Sequence, residues 1–483
     1  MAVYSVTIVA DTLAAAAALR GMDLDLHERA ARRRRGTGAI AVPAILSDEQ
    51  IQRVVAAGYR VEIKENLEHV VAARAAEVDF RTNRLAPANR GTRGPEDETG
   101  TARRGLESLM DVSDLDETEA RAAVRTVRGG YLTPEEVESA LNLLATASPG
   151  LASVSALSER SWEGRTSQVL RLRAGSLSQR VGVLVSGSMH AREWGGSDIC
   201  VAFATNLLKS YAAHAPLKYG NKTFTAAQVT AILEKLDLFV FPDVNPDGKA
   251  FSQSTDPAGG QSQDFWWRKN RNPNPGLPGG AKGVDVNRNF GFLWPSGIGT
   301  SSDPKSFTFK GQGPFSEPES RNVRSLLDTH PHIGYYVDIH SHGELILYPW
   351  GDDQEQTDDP TRNFLNPAFD GVRGVVGDSA YKEFILNTDL ARIRGLARGM
   401  NAALGAVRGR NYTVQQSVGL YPTSATSDDY AFSRHRVDSA LGKVYAFTIE
   451  FGQEFVPPYA EMRNIIADVA AALTELCRRA AGG

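Results

Sequence analysis

Three residues with metal-binding chemistry frame this chain. His190 and Glu193 stand three apart in His190-Ala191-Arg192-Glu193-Trp194, just beyond the apolar run Val181 to Ser186. The run reads as a buried strand, and the turn after it can aim an imidazole nitrogen and a carboxylate at one point, as a zinc ion requires. His340 closes a second apolar run, Ile333 to Ile339. Ligands of open α/β sheets gather beyond the carboxyl ends of strands, so the two histidines have a structural reason to meet. Together they offer a His, Glu, His set with a fourth position left for water. Each alone also has an ordinary reading: a surface His beside a solvated carboxylate, and a satisfied strand-end cluster, His340-Ser341-His342.

A zinc ion lowers the pKa of a bound water to roughly 7, and a neighbouring carboxylate can take its proton. Glu450 is the candidate, because it stands in the apolar run Val444 to Phe451, where a carboxylate needs a partner or a function. A structural salt bridge is the competing reading. Trp266-Trp267-Arg268-Lys269-Asn270-Arg271 and Gly283-Val284-Asp285-Val286-Asn287-Arg288-Asn289 supply positive charge and amides. An arginine can hold a terminal carboxylate bidentately, and another can stabilise an oxyanion; Asn-Arg pairs are also common surface features.

The elements that must position these groups alternate from Tyr131 onward. Strand-like runs recur at Val169 to Leu172, Val181 to Ser186, Leu236 to Phe241, Ile333 to Ile339, Leu345 to Tyr348 and Val444 to Phe451. Helical periodicity marks Pro134 to Ala145, Ser197 to Lys209, Pro318 to Thr329, Asp389 to Leu404 and Met462 to Arg478. Ser316-x-x-Glu319 suggests a capping box before the third of these helices. Such alternation argues for an α/β domain, one sheet covered on both faces.

With 483 residues the chain can bury a sizeable core and an accessory domain as well. A formal charge of −4 gives no electrostatic case for nucleic acid or membrane surfaces, and no run is long enough for a membrane helix. The arginine run Arg32 to Arg35 reads as a solvated loop. Two cysteines exclude a disulfide framework, and Cys200 reads as a core thiol. The run Ala14 to Ala18, flanked by Asp11 and Asp23 and without a basic stretch before it, does not read as a signal peptide, so the expectation is a cytoplasmic protein if Met1 is the native start, and a secreted one if a leader stood before it.

The first eighty residues carry a strand, helix, strand order twice. Ser5 to Ala10, Asp11 to Arg20 behind an acidic cap, and Met22 to Leu26 form one unit; Ile40 to Leu46, Asp48 to Ala57 capped by Ser47, and Tyr59 to Ile63 form the other. This predicts a small α+β, ferredoxin-like βαββαβ domain over residues 1–80. Thr82 to Gly105, rich in Asn, Pro, Gly and charge, reads as a linker that continues as a charged connector to residue 130. Residues 131–483 would form the main domain.

Taken in order, Ser161-Trp162-Glu163-Gly164-Arg165, the His190 motif, Asn245-Pro246-Asp247-Gly248, Trp267-Arg268-Lys269, Gly283 to Asn289, Asp338-Ile339-His340-Ser341, Leu420-Tyr421 and Thr448-Ile449-Glu450 resemble the zinc metallocarboxypeptidases of the carboxypeptidase A and B type. The resemblance runs from about Tyr131 to the C-terminus and implies a mixed eight-stranded sheet flanked by helices. It implies one Zn2+ held by His190, Glu193 and His340, with Glu450 as general base and then acid. Arg268 would polarise the scissile carbonyl, Asn287 and Arg288 would bind the substrate's C-terminal carboxylate, and Tyr421 would be the mobile phenol that closes over it. Asp285 would orient the first zinc histidine, and Asp428 falls at the bottom of the side-chain pocket, where an Asp favours Lys or Arg. Polar Gln416 and Thr423 nearby leave a mixed or apolar preference open.

The implied substrates are peptide and protein C-termini. The first domain then corresponds to the pro-domain of a zymogen, and Arg125 to Arg128 would suit a trypsin-like activating cut near Arg128. Three features depart from the digestive enzymes: His342 in place of Tyr, the polar insertion Asp352 to Ala380, and Gly452 after Phe451. The competing functions are a zinc amidohydrolase acting on a peptidoglycan stem, a glutamylated tail or an N-acyl amino acid, and a non-catalytic binding protein on the same scaffold.

Overall fold

The computed structural model describes residues 2–27, 31–34, 36–75, 77, 130–254, 265–277, 280–375, 380–419 and 421–482. Linker residues 82–105, the cut site at 125–128 and Leu420 lie outside them. Eight strands form one mixed sheet in the order Thr413–Gln416, Leu345–Tyr348, Tyr445–Phe451, Ile333–Ser341, Val181–Gly187, Leu236–Phe241, Thr166–Leu172 and Ala152–Arg160. The four central strands, from Tyr445–Phe451 to Leu236–Phe241, run parallel and their partners on either side run antiparallel to them. All carboxyl ends of that central set therefore open on one edge.

Burial explains which strands were legible. Leu236–Phe241 is buried at every position, which requires the continuous apolar run that the sequence shows. Ala152–Arg160 lies on the sheet edge with no buried residue; its mixed composition gave no signal. Helix Gly195–Ala213 is buried at every position from 195 to 208, as befits a helix packed on all sides. Its Ile199, Phe203 and Leu207 are fully buried, and each such side chain contributes about 1.5–3 kcal/mol to burial. Cys200 and Cys477 are buried free thiols, pushed up in pKa by that burial, in keeping with a packing role. Among the described residues no helix is long and apolar enough to cross a membrane.

The N-terminal sheet has the order Asp25–Leu26, Ile40–Ser47, Val3–Ala10, Arg60–Asn66, with two helices, Leu13–Ala18 and Asp48–Ala56, in the expected places. This is the βαββαβ arrangement expected from the sequence. Ser47 forms a capping box with Gln50, whereas the first helix is capped by Thr12 rather than by an acidic residue. The arginine run is not a free loop: Arg32–Arg33 pairs with the strand Ile40–Ser47, and Arg34 forms an ion pair with Glu62. The capping box at Ser316 does not form. Helix Pro318–Thr329 starts two residues later, so Ser316 lies too far back, and Glu319 accepts a bond from Asn270 instead.

A further helix, Leu67–Ala75, links this unit to the main sheet. Its Leu67, Val70 and Val71 join the same apolar cluster as Tyr131 and Trp194, and Arg74 donates to the Val456 carbonyl at 2.8 Å.

Candidate active site

The strand Val181–Gly187 leads into the His190 turn, and close backbone packing fixes that turn. A Cβ on Gly187 would stand 2.8 Å from the Gly196 carbonyl oxygen, and one on Gly196 would stand 2.7 Å from the Ser188 nitrogen. Two glycines thus let the strand end and the following helix start touch. Within the turn the Glu193 amide donates to the His190 carbonyl, and Ala191 donates to the Arg268 carbonyl at 2.9 Å.

His340 comes from the neighbouring strand, with Glu450 directly beside it in the next one. The Nδ1 atoms of His190 and His340 lie 3.1 Å apart, and the two oxygens of Glu193 reach them at 2.8 and 2.9 Å. Among the described residues this is the only group that brings three potential ligand atoms within 4.8 Å of one another. The outward ring nitrogens are held as well: His190 Nε2 lies 3.2 Å from Asp285 and His340 Nε2 lies 2.8 Å from Asp338. A carboxylate on the far nitrogen fixes ring orientation and raises ligand basicity, as metal-binding histidines need. Burial alone would raise the Glu193 carboxyl, yet the two facing imidazoles outweigh it and hold it well below the usual carboxylate range. Burial likewise opposes charge on His340, but Asp338 and Glu193 overcome it and raise this imidazole well above its ordinary value. The cluster is built around a positive charge, and these donors fit a zinc ion.

Asp285 does double service. Besides His190 it accepts from Arg268 Nε and Nη2, at 3.1 and 2.9 Å. Burial would raise its carboxyl, but Arg268 and His190 hold it well below the usual range. Asn287 donates its backbone amide to Asp285 and accepts from the Ser427 amide, while its side-chain nitrogen lies 3.4 Å from His340 Nε2. Arg288 donates to the carbonyls of Asn287 and Gly299.

His190, Glu193, Arg268, Asn287, Arg288 and Glu450 line one cavity of about 480 Å3. The other expected site residues stand elsewhere. His340 and Asp285 lie behind the wall. Tyr421 packs into the apolar cluster of the N-terminal unit, with the Arg20 guanidinium 5.1 Å from its ring centre. Asp428 is fully buried and accepts from the Ser417 and Thr448 hydroxyls at 3.1 Å each.

The far wall of the cavity is the N-terminal unit, from Arg20 to His27. Asp25 accepts from Arg192 Nη2 at 2.8 Å and makes a second, shorter contact with Nη1. His27 and His342 meet at 3.0 Å, and burial depresses both, His342 to about 4, so the pair is neutral. Sequence reasoning assigned no role to Asp338, Asp25, Arg192 or His27. Asp338 was the accessible one, since residues two apart in a strand share a face.

Residues 137–472 match the family described as zinc carboxypeptidase. The chain belongs to that family. It is 31% identical over 322 residues to carboxypeptidase B from Astacus astacus, covering 66% of this chain and 86% of the relative. Two solved structures share the fold over nearly the whole length. The carboxypeptidase A from Helicoverpa armigera aligns at TM-score 0.68 and 20% identity, covering 99% of this chain and 98% of that one. Thrombin activatable fibrinolysis inhibitor aligns at TM-score 0.66 and 18% identity, covering all of both chains. This metallocarboxypeptidase is thus a zinc-dependent peptide hydrolase. Its family uses one Zn2+, which His190, Glu193 and His340 can hold.

Proposed function

We propose that this metallocarboxypeptidase removes single residues from peptide C-termini, with Glu450 as the proton carrier and a preference for Lys and Arg. One observation carries the reading: the His190, Glu193 and His340 donors converge on a wall of the same cavity that holds Glu450, Arg268 and Arg288. His190, Glu193 and His340 would hold a zinc ion there, which would supply a water with a pKa near 7 and a Lewis acid for the carbonyl oxygen. Glu450 takes the proton of the attacking water and delivers it to the leaving amine. Arg268, steadied by Asp285, faces the oxygen that becomes negative. Arg288 and Asn287 pair with the free carboxylate of the substrate and so select its terminus.

Asp428 supports the basic preference. It is buried behind the cavity lining, where it accepts from the Ser417 and Thr448 hydroxyls, and a buried carboxylate favours a cationic side chain. Residues 1–80 act as a pro-domain that closes the cleft, residues 81–130 as the connector in which a trypsin-like protease cuts near Arg128, and residues 131–483 as the enzyme. The contacts of Asp25 and His27 inside the cleft support this division.

A mass-spectrometric digest of a peptide library by the activated enzyme tests the reading. Residues should leave one at a time from the C-terminus, Lys and Arg first, and Glu450→Gln should abolish turnover while retaining about one zinc per chain. Full activity of Glu450→Gln would sink the mechanism, and equal activity on amidated peptides would replace this reading with the amidohydrolase one.

A further inference from the structure

Asn270 follows Arg268 by two positions, is fully buried, and stands behind the cavity lining. Its side chain uses every hydrogen-bonding position that an amide offers. Nδ2 donates to Glu317 at 2.8 Å and to Glu319 at 2.9 Å. Oδ1 accepts from the Val284 amide at 2.8 Å and from the Asn272 amide at 3.3 Å. The backbone takes part as well: the Asn270 amide donates to the Val284 carbonyl at 3.0 Å, and the Asn270 carbonyl accepts from Trp267 Nε1 at 3.2 Å. The two segments lie in direct contact, since a Cβ on Gly283 would stand 2.5 Å from the Asn270 carbonyl oxygen.

These bonds fix the distance between the two ends of an ion pair. Val284 precedes Asp285, the carboxylate that accepts from Arg268 Nε and Nη2 and also meets His190. A guanidinium presents its donors in a rigid plane, so a slide of the Arg268 segment against the Asp285 segment turns the face that Arg268 shows to the cavity. We propose that Asn270, anchored by Glu317 and Glu319, is a positioning residue for the hydrolysis and sets the aim of Arg268 at the carbonyl oxygen that becomes negative. The inference rests on the role given to Arg268 above.

Both anchors belong to the scaffold. Glu317 caps the helix Pro318–Thr329 and Glu319 lies in its first turn, and both are buried. Glu317 is itself held, accepting from Trp162 Nε1 and Asn272 Nδ2 at 2.9 Å each. Burial, and then the neighbouring Glu317, push the Glu319 carboxyl up to about 8, so at neutral pH it meets Asn270 as an uncharged acid. Neither acid lines the cavity, nor does Asn270, so the three act through Arg268 and not on the substrate. An Asp at position 270 would offer no donor to either acid, and a Ser would offer one hydroxyl in place of the amide.

The test compares steady-state kinetics of four full-length proteins, zinc-saturated and then protease-activated: the parent, Asn270→Ser, Arg268→Ala and the double variant. Asn270→Ser should lower kcat about 10- to 100-fold, the scale of a misplaced catalytic group, and leave KM within about twofold. Its affinity for a phosphonate analogue of the tetrahedral intermediate should fall in parallel with kcat/KM. In the Arg268→Ala background the same substitution should cost less than about twofold, because nothing is left to aim, whereas a general structural defect would cost as much there as in the parent. Glu319→Ala, which removes one anchor and leaves Glu317, should show the same pattern with a smaller loss, and it decides the matter if Asn270→Ser does not fold. A parent-like kcat in folded Asn270→Ser, or an equal loss in both backgrounds, beside a large effect of Arg268→Ala, would overturn this inference alone. An unchanged kcat in Arg268→Ala would overturn the role of Arg268 and this inference with it.

Discussion

Asp25→Asn should convert the intact chain from a restrained to a partly active enzyme. Asp25 is the N-terminal unit's acidic contact with Arg192, a residue buried completely in the cleft. Arg192 also donates to the Trp266 carbonyl and lies over the Phe455 ring at 4.1 Å. Truncating one partner of a buried ion pair costs about 3–5 kcal/mol, because the other charge stays buried and unpaired. Trp266 and Phe455 continue to hold the guanidinium, which places this case near the lower end. At about 1.4 kcal/mol per decade, 3 kcal/mol shifts the balance between closed and open cleft roughly 100-fold. The basal rate of the uncut protein should rise by that factor, up to the ceiling set by the protease-activated enzyme. The assay is hydrolysis of a chromogenic peptide with a free C-terminal Lys or Arg, run on uncut parent, uncut variant and activated forms of both. Glu49→Gln, an exposed change in the same unit, is the control. An uncut Asp25→Asn protein with unchanged Tm and the basal rate of the parent would refute the reasoning that this ion pair closes the cleft.

Three other outcomes follow from the same geometry. Arg288→Ala should raise KM about 100-fold for peptides with a free carboxylate, consistent with 2–3 kcal/mol for a charge-assisted pair, and should leave amidated peptides unaffected; steady-state kinetics on both decides it. Asp428→Asn should erase the preference for Lys and Arg over Leu without loss of turnover on neutral termini, as competition in one peptide mixture would show. Burial lifts Asp198, whose Oδ1 accepts from the Tyr459 hydroxyl, from 3.8 to about 7. The folded chain then keeps a proton that the unfolded chain has given up between those values, so this group's contribution is intact below about pH 4 and is lost as pH rises to about 7. Asp198→Asn lacks that loss, and its stability relative to the parent should improve by about 2.6 kcal/mol between pH 5 and pH 8, measured by denaturant unfolding; a gap independent of pH would count against it.

Much of this protein was legible from residue order alone. The central strands must be buried on both faces, so Val181 to Ser186, Leu236 to Phe241 and Ile333 to Ile339 are continuous apolar runs, and His190, His340 and Glu450 mark their carboxyl ends. The ligand set is encoded locally, in a three-residue turn and at a strand terminus, which is why spacing could suggest it. Edge strands such as Ala152–Arg160 are satisfied by water on one side and need no apolar signature. Tertiary structure alone decided what lies across long sequence separations. Asp25 meets Arg192 at a separation of 167 residues, and His27 meets His342 at 315. Those contacts depend on how two independently patterned sheets dock, and no local propensity specifies docking.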